Sequence, residues 1–201
     1  MDQTITYKTI LKDEYKRGTI ITFHGGCFMG GNTSYDRFQN ILLSSLGYNV
    51  HQVHFPKNYT EFIRWTNNFN FEGMQQPIYT LGRSSGGYLA KIFATINVLE
   101  VKKAIYICPV FNPHLRYQIN PQFEEKTLEF FDGTKNSGMS TKMFDKDREL
   151  LLLAKHDENV PNECFTKKQL QSAIYLGPTT HKGMLSTTSK AFAKLVLNHF
   201  N

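Results

Sequence analysis

Six consecutive residues, Gly82-Arg83-Ser84-Ser85-Gly86-Gly87, form the pattern best suited to chemistry in this chain of 201 residues. They lie between an apolar run that predicts a strand, Pro77 to Leu81, and a helical pattern from Tyr88 to Ile96. A serine at such a sharp turn has a strained backbone, and glycine two residues away on each side removes the collisions that larger residues would cause. The hydroxyl of Ser84 is therefore expected to stand exposed above a sheet as a nucleophile.

A serine nucleophile needs a base, an acid that orients the base, and hydrogen-bond donors for an oxyanion. Upstream, the strand-like run Thr19 to Phe23 leads into the turn His24-Gly25-Gly26-Cys27-Phe28. Glycines in this turn allow the backbone N–H groups of Gly26 and Cys27 to point at a developing negative charge. The N–H of Ser85 would be the second donor, so the sequence predicts an oxyanion hole built from these two turns.

Candidates for the acid and the base come later in the chain. Asp157 follows the strand-like run Leu150 to Ala154, and His181 lies in the last loop before the terminal helical pattern. Ser84, Asp157 and His181 all follow the predicted carboxyl ends of strands. Ligands bind at that edge in open parallel sheets. Glu158 is the alternative acid if the loop is displaced by one residue.

The remaining histidines have simpler explanations than catalysis. His24 is expected to fix the oxyanion turn by hydrogen bonding, because the base normally follows the acid in sequence. His51 and His54 lie on a predicted strand, where a histidine more often packs or hydrogen bonds than binds metal. His156 is adjacent to the predicted acid and badly placed to bridge it to the serine. The sequence therefore predicts neither a metal nor a cofactor.

The order nucleophile, acid, histidine, with an upstream His-Gly-Gly turn, resembles the α/β-hydrolase superfamily. The resemblance extends from Thr19 to the end of the chain. It implies an α/β-hydrolase fold with Ser84 as nucleophile, Asp157 as acid and His181 as base.

Two positions separate this sequence from the esterases that resemble hormone-sensitive lipase. Cys27 stands where those proteins usually carry a third glycine, and Arg83 stands where they usually carry an acidic residue. The loop around Asp157 is more similar to dienelactone hydrolases and to the catalytic domains of prolyl-oligopeptidase-type enzymes. The resemblance therefore indicates the superfamily without selecting one subfamily.

Strand-like runs alternate with helical patterns, which predicts one domain over residues 1–201 with a mostly parallel, doubly wound sheet and helices on both faces. Only one strand-like stretch, Thr4 to Ile10, precedes Thr19, so the usual amino-terminal strands are expected to be trimmed. A helix over Ser34 to Leu46 is expected to bury Phe38, Ile41, Leu42 and Leu46. A second helix is expected to begin with an Asn58–Glu61 capping box.

The periodicity lapses between Val110 and Arg148, which predicts a lid-like insertion over the site at about 110–148. Its aromatic rings could line an acyl pocket or could hold the insertion against the sheet, and both interpretations stay open here. We predict substrate contacts for Phe28, Phe111 and Tyr117. The other rings of the insertion are Phe123, Phe130, Phe131 and Phe144.

Composition excludes several other classes of protein. The chain carries a formal net charge of +6, but its basic residues are scattered without an aromatic-interleaved stripe, so we expect a solvated basic surface and no nucleic-acid partner. No apolar run is long enough to span a bilayer. The three cysteines, Cys27, Cys108 and Cys164, have no paired spacing and no secretory leader precedes them, which favours the reduced cytoplasm.

These observations predict a serine hydrolase that cleaves a carboxylic ester of a small-molecule acyl substrate through an acyl-enzyme. Thioester hydrolysis, small-peptide hydrolysis and acyl transfer use the same machinery and stay open. A hydrolase-like protein that binds a small molecule without turning it over is the alternative from a different class. The sequence leaves the oligomeric state open.

Overall fold

The computed structural model describes residues 4–7, 16–28, 33–54, 58–133, 144–177, 180–186 and 189–201. The strands within these ranges are β1 (Thr4–Tyr7), β2 (Gly18–Phe23), β3 (Tyr48–Val53), β4 (Ile78–Arg83), β5 (Val101–Ile107), β6 (Glu149–Leu153) and β7 (Ile174–Tyr175). In this part of the chain the seven strands form one sheet in the order β1-β3-β2-β4-β5-β6-β7. β1 pairs antiparallel with β3, whereas the pairs from β3 to β7 are parallel. The predicted fold class is therefore confirmed.

Helices connect the strands and cover both faces of the sheet. They are α1 (Arg37–Ser45), α2 (Tyr59–Asn67), α3 (Ser85–Ile96), α4 (Pro113–Ile119), α5 (Glu124–Phe130), α6 (Lys167–Ser172) and α7 (Lys190–Phe200). One half of the expected capping box of α2 is present, because the Asn58 side chain accepts a hydrogen bond from the Glu61 N–H. β1 ends at Tyr7, and the rest of the expected strand to Ile10 lies outside the described residues.

Side chains that alternate along each strand enter two different cores. On β2, Ile21 and Phe23 pack into a large aromatic core with α2, α3 and the insertion, whereas Ile20 packs into a second core with α1 and α7. This alternation is the two-residue period of an extended chain buried on both faces. It fixes the register that brings the ends of β2, β4, β5 and β6 to one edge.

The expected inward face of α1 is confirmed for Leu42 and Leu46, which pack against the second core, and wrong for Phe38 and Ile41. Phe38 is 72% exposed and Ile41 is 46% exposed, while Gln39 and Asn40 are buried beside Leu43. The helix is rotated because Asp36, directly before it, forms a buried ion pair with Arg83 of β4. This ion pair and the buried amides turn a polar face of α1 toward the sheet.

The insertion contains regular structure that its sequence did not predict. α4 and α5 are only seven residues each, which is too short for a hydrophobic period to stand out. α4 begins where the Asn112 side chain accepts a hydrogen bond from the Leu115 N–H and Pro113 occupies the first turn. Phe111, Phe130 and Phe131 are buried in the aromatic core, so these rings hold the insertion to the sheet. A movement of the insertion as a lid stays a prediction.

Of the helices in the described ranges, none combines the length and the apolar composition that crossing a membrane requires. The single-domain organisation, the cytoplasmic location and the lack of a nucleic-acid partner stay predictions.

Candidate active site

Ser84 occupies a strained turn between β4 and α3. Its backbone dihedral angles are φ 53° and ψ −124°, a conformation that residues other than glycine rarely adopt. The Ser84 N–H donates to the carbonyl of Ile107 at 2.9 Å, and the Ser84 carbonyl accepts from the N–H groups of Gly87 and Val110. The serine side chain is buried rather than exposed as expected, because the ring of His181 lies against it.

The glycines on each side of Ser84 are required by close backbone packing. A Cβ on Gly82 would lie 2.3 Å from the carbonyl oxygen of Gly86, and a Cβ on Gly86 would lie 2.2 Å from the carbonyl oxygens of Phe23 and His24. These distances are far shorter than any non-bonded contact between a carbon and an oxygen atom. The steric explanation given for the glycine pattern is thus confirmed.

The His-Gly-Gly turn packs directly on the nucleophile turn. A Cβ on Gly25 would lie 3.2 Å from the Cβ of Ser84. The next three residues, Gly26, Cys27 and Phe28, all have positive φ values, of 144°, 55° and 66°. Three successive positive φ values turn the backbone sharply beside Ser84.

Ser85 is the first residue of α3, so its N–H has no partner within the helix and lies at the positive end of the helix dipole. The predicted donors at Gly26, Cys27 and Ser85 therefore belong to two turns in contact. Their role as an oxyanion hole stays a prediction.

His24 fixes the turn as expected. Its Nδ1 donates to the carbonyl of Gly25 at 2.7 Å. Burial lowers the pKa of His24 to about 4, opposed by that hydrogen bond, so the ring is neutral at neutral pH.

The three predicted triad residues meet in one hydrogen-bonded chain. His181 Nε2 lies 3.1 Å from Ser84 Oγ, and His181 Nδ1 lies 2.9 Å from Asp157 Oδ2. The second carboxylate oxygen of Asp157 accepts from the N–H groups of Asn159 at 2.9 Å and Val160 at 2.7 Å. Burial by itself raises the pKa of Asp157, but these hydrogen bonds outweigh it and hold the pKa below its usual value.

Glu158, the alternative acid, contacts the backbone of His181 instead of its ring. Its carboxylate accepts the His181 N–H at 3.0 Å. Burial tends to raise the pKa of Glu158, but hydrogen bonds from its own N–H and that of His181 lower it overall. His156 pairs with Thr180 in an isolated parallel bridge that joins the two loops. Glu158 and His156 therefore position the histidine loop and do not contact Ser84.

Cys108 was not predicted to belong to the site. It follows β5 with φ 43°, and its thiol is buried against the Asp157 carboxylate. Burial raises the pKa of the Cys108 thiol, and the neighbouring Asp157 raises it further. The thiol therefore keeps its proton and can donate it to the carboxylate. Sequence contains no signal for this contact, because only the folded sheet brings the ends of β5 and β6 together.

Cys108 Sγ, a carboxylate oxygen of Asp157 and a ring nitrogen of His181 lie within 4.8 Å of one another. Among the described residues these are the side chains that could hold a metal ion. Asp157 and His181 already bind each other, so the prediction that the site uses no metal stays as it was made.

Helix α4 braces the acid loop through two side chains that sequence reasoning missed. Arg116 Nε donates to the carbonyl of Asn159 at 3.0 Å, and Asn120 Nδ2 donates to the carbonyl of Glu158 at 3.3 Å. The insertion is therefore attached directly to the loop that carries Asp157.

The three predicted substrate contacts pack against protein in this structure. The ring of Phe28 stacks on Phe130 with centroids 5.1 Å apart, and the ring of Phe111 contacts Tyr106 at 5.2 Å. The hydroxyl of Tyr117 hydrogen bonds to the ring of His114. Contact of these rings with a substrate stays a prediction.

No family model and no curated protein matches this sequence. Solved structures of esterases do match the fold. Carboxyl esterase 2 from the mycorrhizal fungus Tuber melanosporum has a TM-score of 0.70 at 18% identity, covering 99% of this chain and 82% of that chain. An esterase from Pyrobaculum calidifontis has a TM-score of 0.65 at 16% identity, covering 100% and 84%. Est1E from Butyrivibrio proteoclasticus has a TM-score of 0.59 at 17% identity, covering 93% and 90%.

The chain has the α/β-hydrolase fold. In this fold, Ser84 follows β4, Asp157 follows β6 and His181 follows β7, all at the carboxyl edge of the sheet. Identities of this size show the fold alone.

Proposed function

We propose that this protein is a serine hydrolase that cleaves carboxylic esters, with Ser84 as nucleophile, His181 as general base and Asp157 as the acid that orients the base. The observation that carries the proposal is the unbroken chain of hydrogen bonds from Ser84 Oγ through the His181 ring to Asp157, at 3.1 and 2.9 Å. A nucleophile, a base and an orienting acid within hydrogen-bond reach constitute the geometry that acyl transfer needs.

The protonation states of the triad follow from its surroundings. The depressed pKa of Asp157 keeps its carboxylate ionised at neutral pH. An ionised carboxylate accepts the proton on His181 Nδ1, which leaves Nε2 as the acceptor that faces Ser84. His181 can then take the Ser84 proton as the hydroxyl attacks the ester carbonyl, and Asp157 stabilises the imidazolium that forms.

Backbone N–H donors are assigned the role of stabilising the negative charge that develops on the carbonyl oxygen. The N–H of Ser85 and an N–H of Gly26 or Cys27 belong to two turns in van der Waals contact at Gly25 and Ser84. Loss of one such donor typically reduces kcat by about 100- to 1,000-fold, so the His-Gly-Gly turn matters nearly as much as the triad. His181 then protonates the leaving alcohol, and a water molecule releases the acid from Ser84.

The structural neighbours favour an ester over the other carbonyl substrates. Carboxyl esterase 2, the Pyrobaculum esterase and Est1E are named as esterases or by an esterase abbreviation, and esterase B from Lactobacillus rhamnosis was crystallised after inhibition by a tributyrin phosphonate. A thioesterase, a peptidase or an acyltransferase would use the same residues. The intact hydrogen-bonded triad argues against a protein that only binds a small molecule, since such a protein has no need of an aligned base.

Labelling with a fluorophosphonate tests the proposal directly. The probe phosphonylates an activated serine, and mass spectrometry of the digested protein locates the adduct. We expect a stoichiometric adduct on Ser84, no adduct in Ser84→Ala, and normal labelling of Ser45→Ala, which removes an exposed hydroxyl on α1. Release of 4-nitrophenol from 4-nitrophenyl butyrate measures the esterase activity in parallel. A folded protein that gives neither an adduct nor turnover would favour the binding-protein alternative.

A further inference from the structure

Among the described residues, three lysine or arginine side chains are buried: Arg83, Lys91 and Arg116. Arg83 is paired with Asp36 and Lys91 is paired with Glu149. Arg116 has no carboxylate within ion-pairing distance in the part of the chain that the structure describes. Among the described residues, Arg116 is therefore the buried cation without a carboxylate partner.

Arg116 also retains unused hydrogen-bonding capacity. Its Nε donates to the carbonyl of Asn159, its Nη2 donates to Cys27 Sγ at 3.7 Å, and its guanidinium lies over the ring of Phe123 at 3.4 Å. Its Nη1 is buried and has no hydrogen-bond partner within the described structure. Burial lowers the pKa of Arg116, which expresses the cost of an uncompensated charge, and the neighbouring Cys27 and Asp157 offset this only in part.

An unpaired buried arginine is unfavourable for the isolated protein, and a neutral side chain of similar size would avoid the cost. Binding of an anionic ligand to the guanidinium would explain such a residue. Arg116 also lies between the oxyanion turn, through Cys27, and the acid loop, through Asn159. The first segment packs against Ser84 and the second carries Asp157, so Arg116 contacts both halves of the candidate site.

We infer that Arg116 is a recognition site for a carboxylate carried by the ester substrate. This inference rests on the proposed function and names the substrate class: an ester with a second, ionised carboxyl group. A thiol is a weak acceptor, and Cys27 is only partly buried. A carboxylate can therefore displace Cys27 Sγ from Nη2 and bond to Nη1 at the same time, in the two-nitrogen geometry that guanidinium offers to carboxylates.

Matched ester pairs test the inference. The acyl arm compares 4-nitrophenyl hexanoate with the 4-nitrophenyl hemiester of adipic acid, which has the same chain with a terminal carboxylate. The alcohol arm compares methyl 4-acetoxybenzoate with 4-acetoxybenzoate. In one of the two arms we expect kcat/KM to favour the carboxylate by about tenfold or more, as a charge-assisted bidentate contact should give. The arm that responds tells whether the carboxylate belongs to the acid or to the alcohol.

Arg116→Gln provides the decisive variant. It keeps a donor for the Asn159 carbonyl but removes the charge, so we expect the ratio of kcat/KM for the carboxylate ester to kcat/KM for the neutral ester to fall to about one. Arg64→Gln is the matched control, because it removes an exposed arginine on α2 and should leave the preference intact. An equal loss on both members of the responding pair would instead mean that Arg116 only braces the acid loop.

A binding measurement separates this inference from the proposed function. We expect adipate or benzoate to raise the Tm of wild type and Ser84→Ala, but not that of Arg116→Gln, whereas adipamide and benzamide have no such effect. That result would support the carboxylate site even if no ester were turned over. If Arg116→Gln does not fold, the inference is still tested by the wild-type Tm. The shift with adipate or benzoate is then compared with the shift with adipamide or benzamide. Equal kinetics for the ester pairs together with no carboxylate-specific shift in Tm would overturn the inference.

Discussion

The two halves of the candidate site are held in place by different kinds of contact. The nucleophile half, residues 23–28 and 82–87, is fixed by backbone segments that pack too closely for a Cβ at Gly82 or Gly86. The acid–base half, residues 156–160 and 180–183, is fixed by backbone N–H groups that donate to the carboxylates of Asp157 and Glu158 and by the hydrogen bond between Asp157 and His181. Steric exclusion thus orders one pair of loops, and polar pairing orders the other. The two halves should therefore fail in different ways when they are mutated.

The largest effect is expected from Gly86→Ala. The new Cβ would lie 2.2 Å from two backbone oxygens of the oxyanion turn, so the two turns must separate. We expect the free energy of unfolding to fall by about 3 kcal/mol or more, and esterase activity to be lost with it. Urea denaturation and 4-nitrophenyl butyrate hydrolysis measure the two effects.

Gly73→Ala is the control for the glycine itself. Gly73 has a positive φ, of 76°, which Gly86 in α3 does not have, but no atom lies within 4 Å of the position of a Cβ on Gly73. Gly73→Ala should cost about 1 kcal/mol, from backbone strain alone, and leave activity unchanged. A loss in Gly73→Ala as large as that in Gly86→Ala would contradict the explanation by close packing.

In the acid–base half, Asp157→Asn should abolish function while preserving the fold. The amide can present its NH2 group to His181 and favour the wrong tautomer, and we expect kcat to fall by about 10,000-fold. Near-UV circular dichroism should be unchanged. Glu158→Gln, which alters the contact to the His181 backbone only, should reduce kcat by about tenfold or less. The reverse ranking of these variants would identify Glu158 as the acid.

The buried histidine of the nucleophile half should make stability depend on pH. The pKa of His24 is about 4 in the folded protein and about 6.5 when it is unfolded, so the unfolded state binds the proton first as the pH falls. This contribution to stability is therefore complete above pH 6.5 and is lost between pH 6.5 and 4. At pH 5 it should have fallen by about 2 kcal/mol relative to pH 7.

His24→Asn tests this origin, because an Asn Nδ2 can replace Nδ1 as donor to the Gly25 carbonyl without titrating. Urea unfolding at pH 7 and pH 5 should show about 2 kcal/mol less dependence on pH in the variant than in wild type. An unchanged difference would assign the pH dependence to other groups.

The smallest effect is expected from removal of the Cys108 thiol, which contacts the Asp157 carboxylate. Cys108→Ala removes the donor next to Asp157 and should lower kcat by about three- to tenfold with little change in KM, whereas Cys108→Ser should retain most of the activity. Cys164→Ala is the control, because Cys164 is also buried but lies in the 3₁₀ turn Asn162–Cys164. A loss of the same size in Cys164→Ala would mean that packing alone explains the result.

Much of the fold and the nucleophile turn could be predicted from sequence, because the relevant contacts are local or periodic. Apolar runs located the strands β2, β4 and β6, and the spacing of Gly82, Ser84 and Gly86 encodes a turn within a few residues. The α1 prediction failed at Phe38 and Ile41 because an ion pair between Asp36 and Arg83, distant in sequence, outweighed the hydrophobic period of the helix. The helices of the insertion were not predicted because seven residues are too few to show a hydrophobic period.

The sequence supplies the residue types and their order: a serine between glycines, then an aspartate, then a histidine, each after a strand. Tertiary packing brings His181 to 3.1 Å from Ser84 and makes Asp157, rather than Glu158, face its ring. The same packing places Cys108 against the Asp157 carboxylate and, among the described residues, leaves Arg116 buried with no carboxylate at ion-pairing distance. The reason is that strand order and loop packing set these distances between residues far apart in the chain, and neither follows from local propensity.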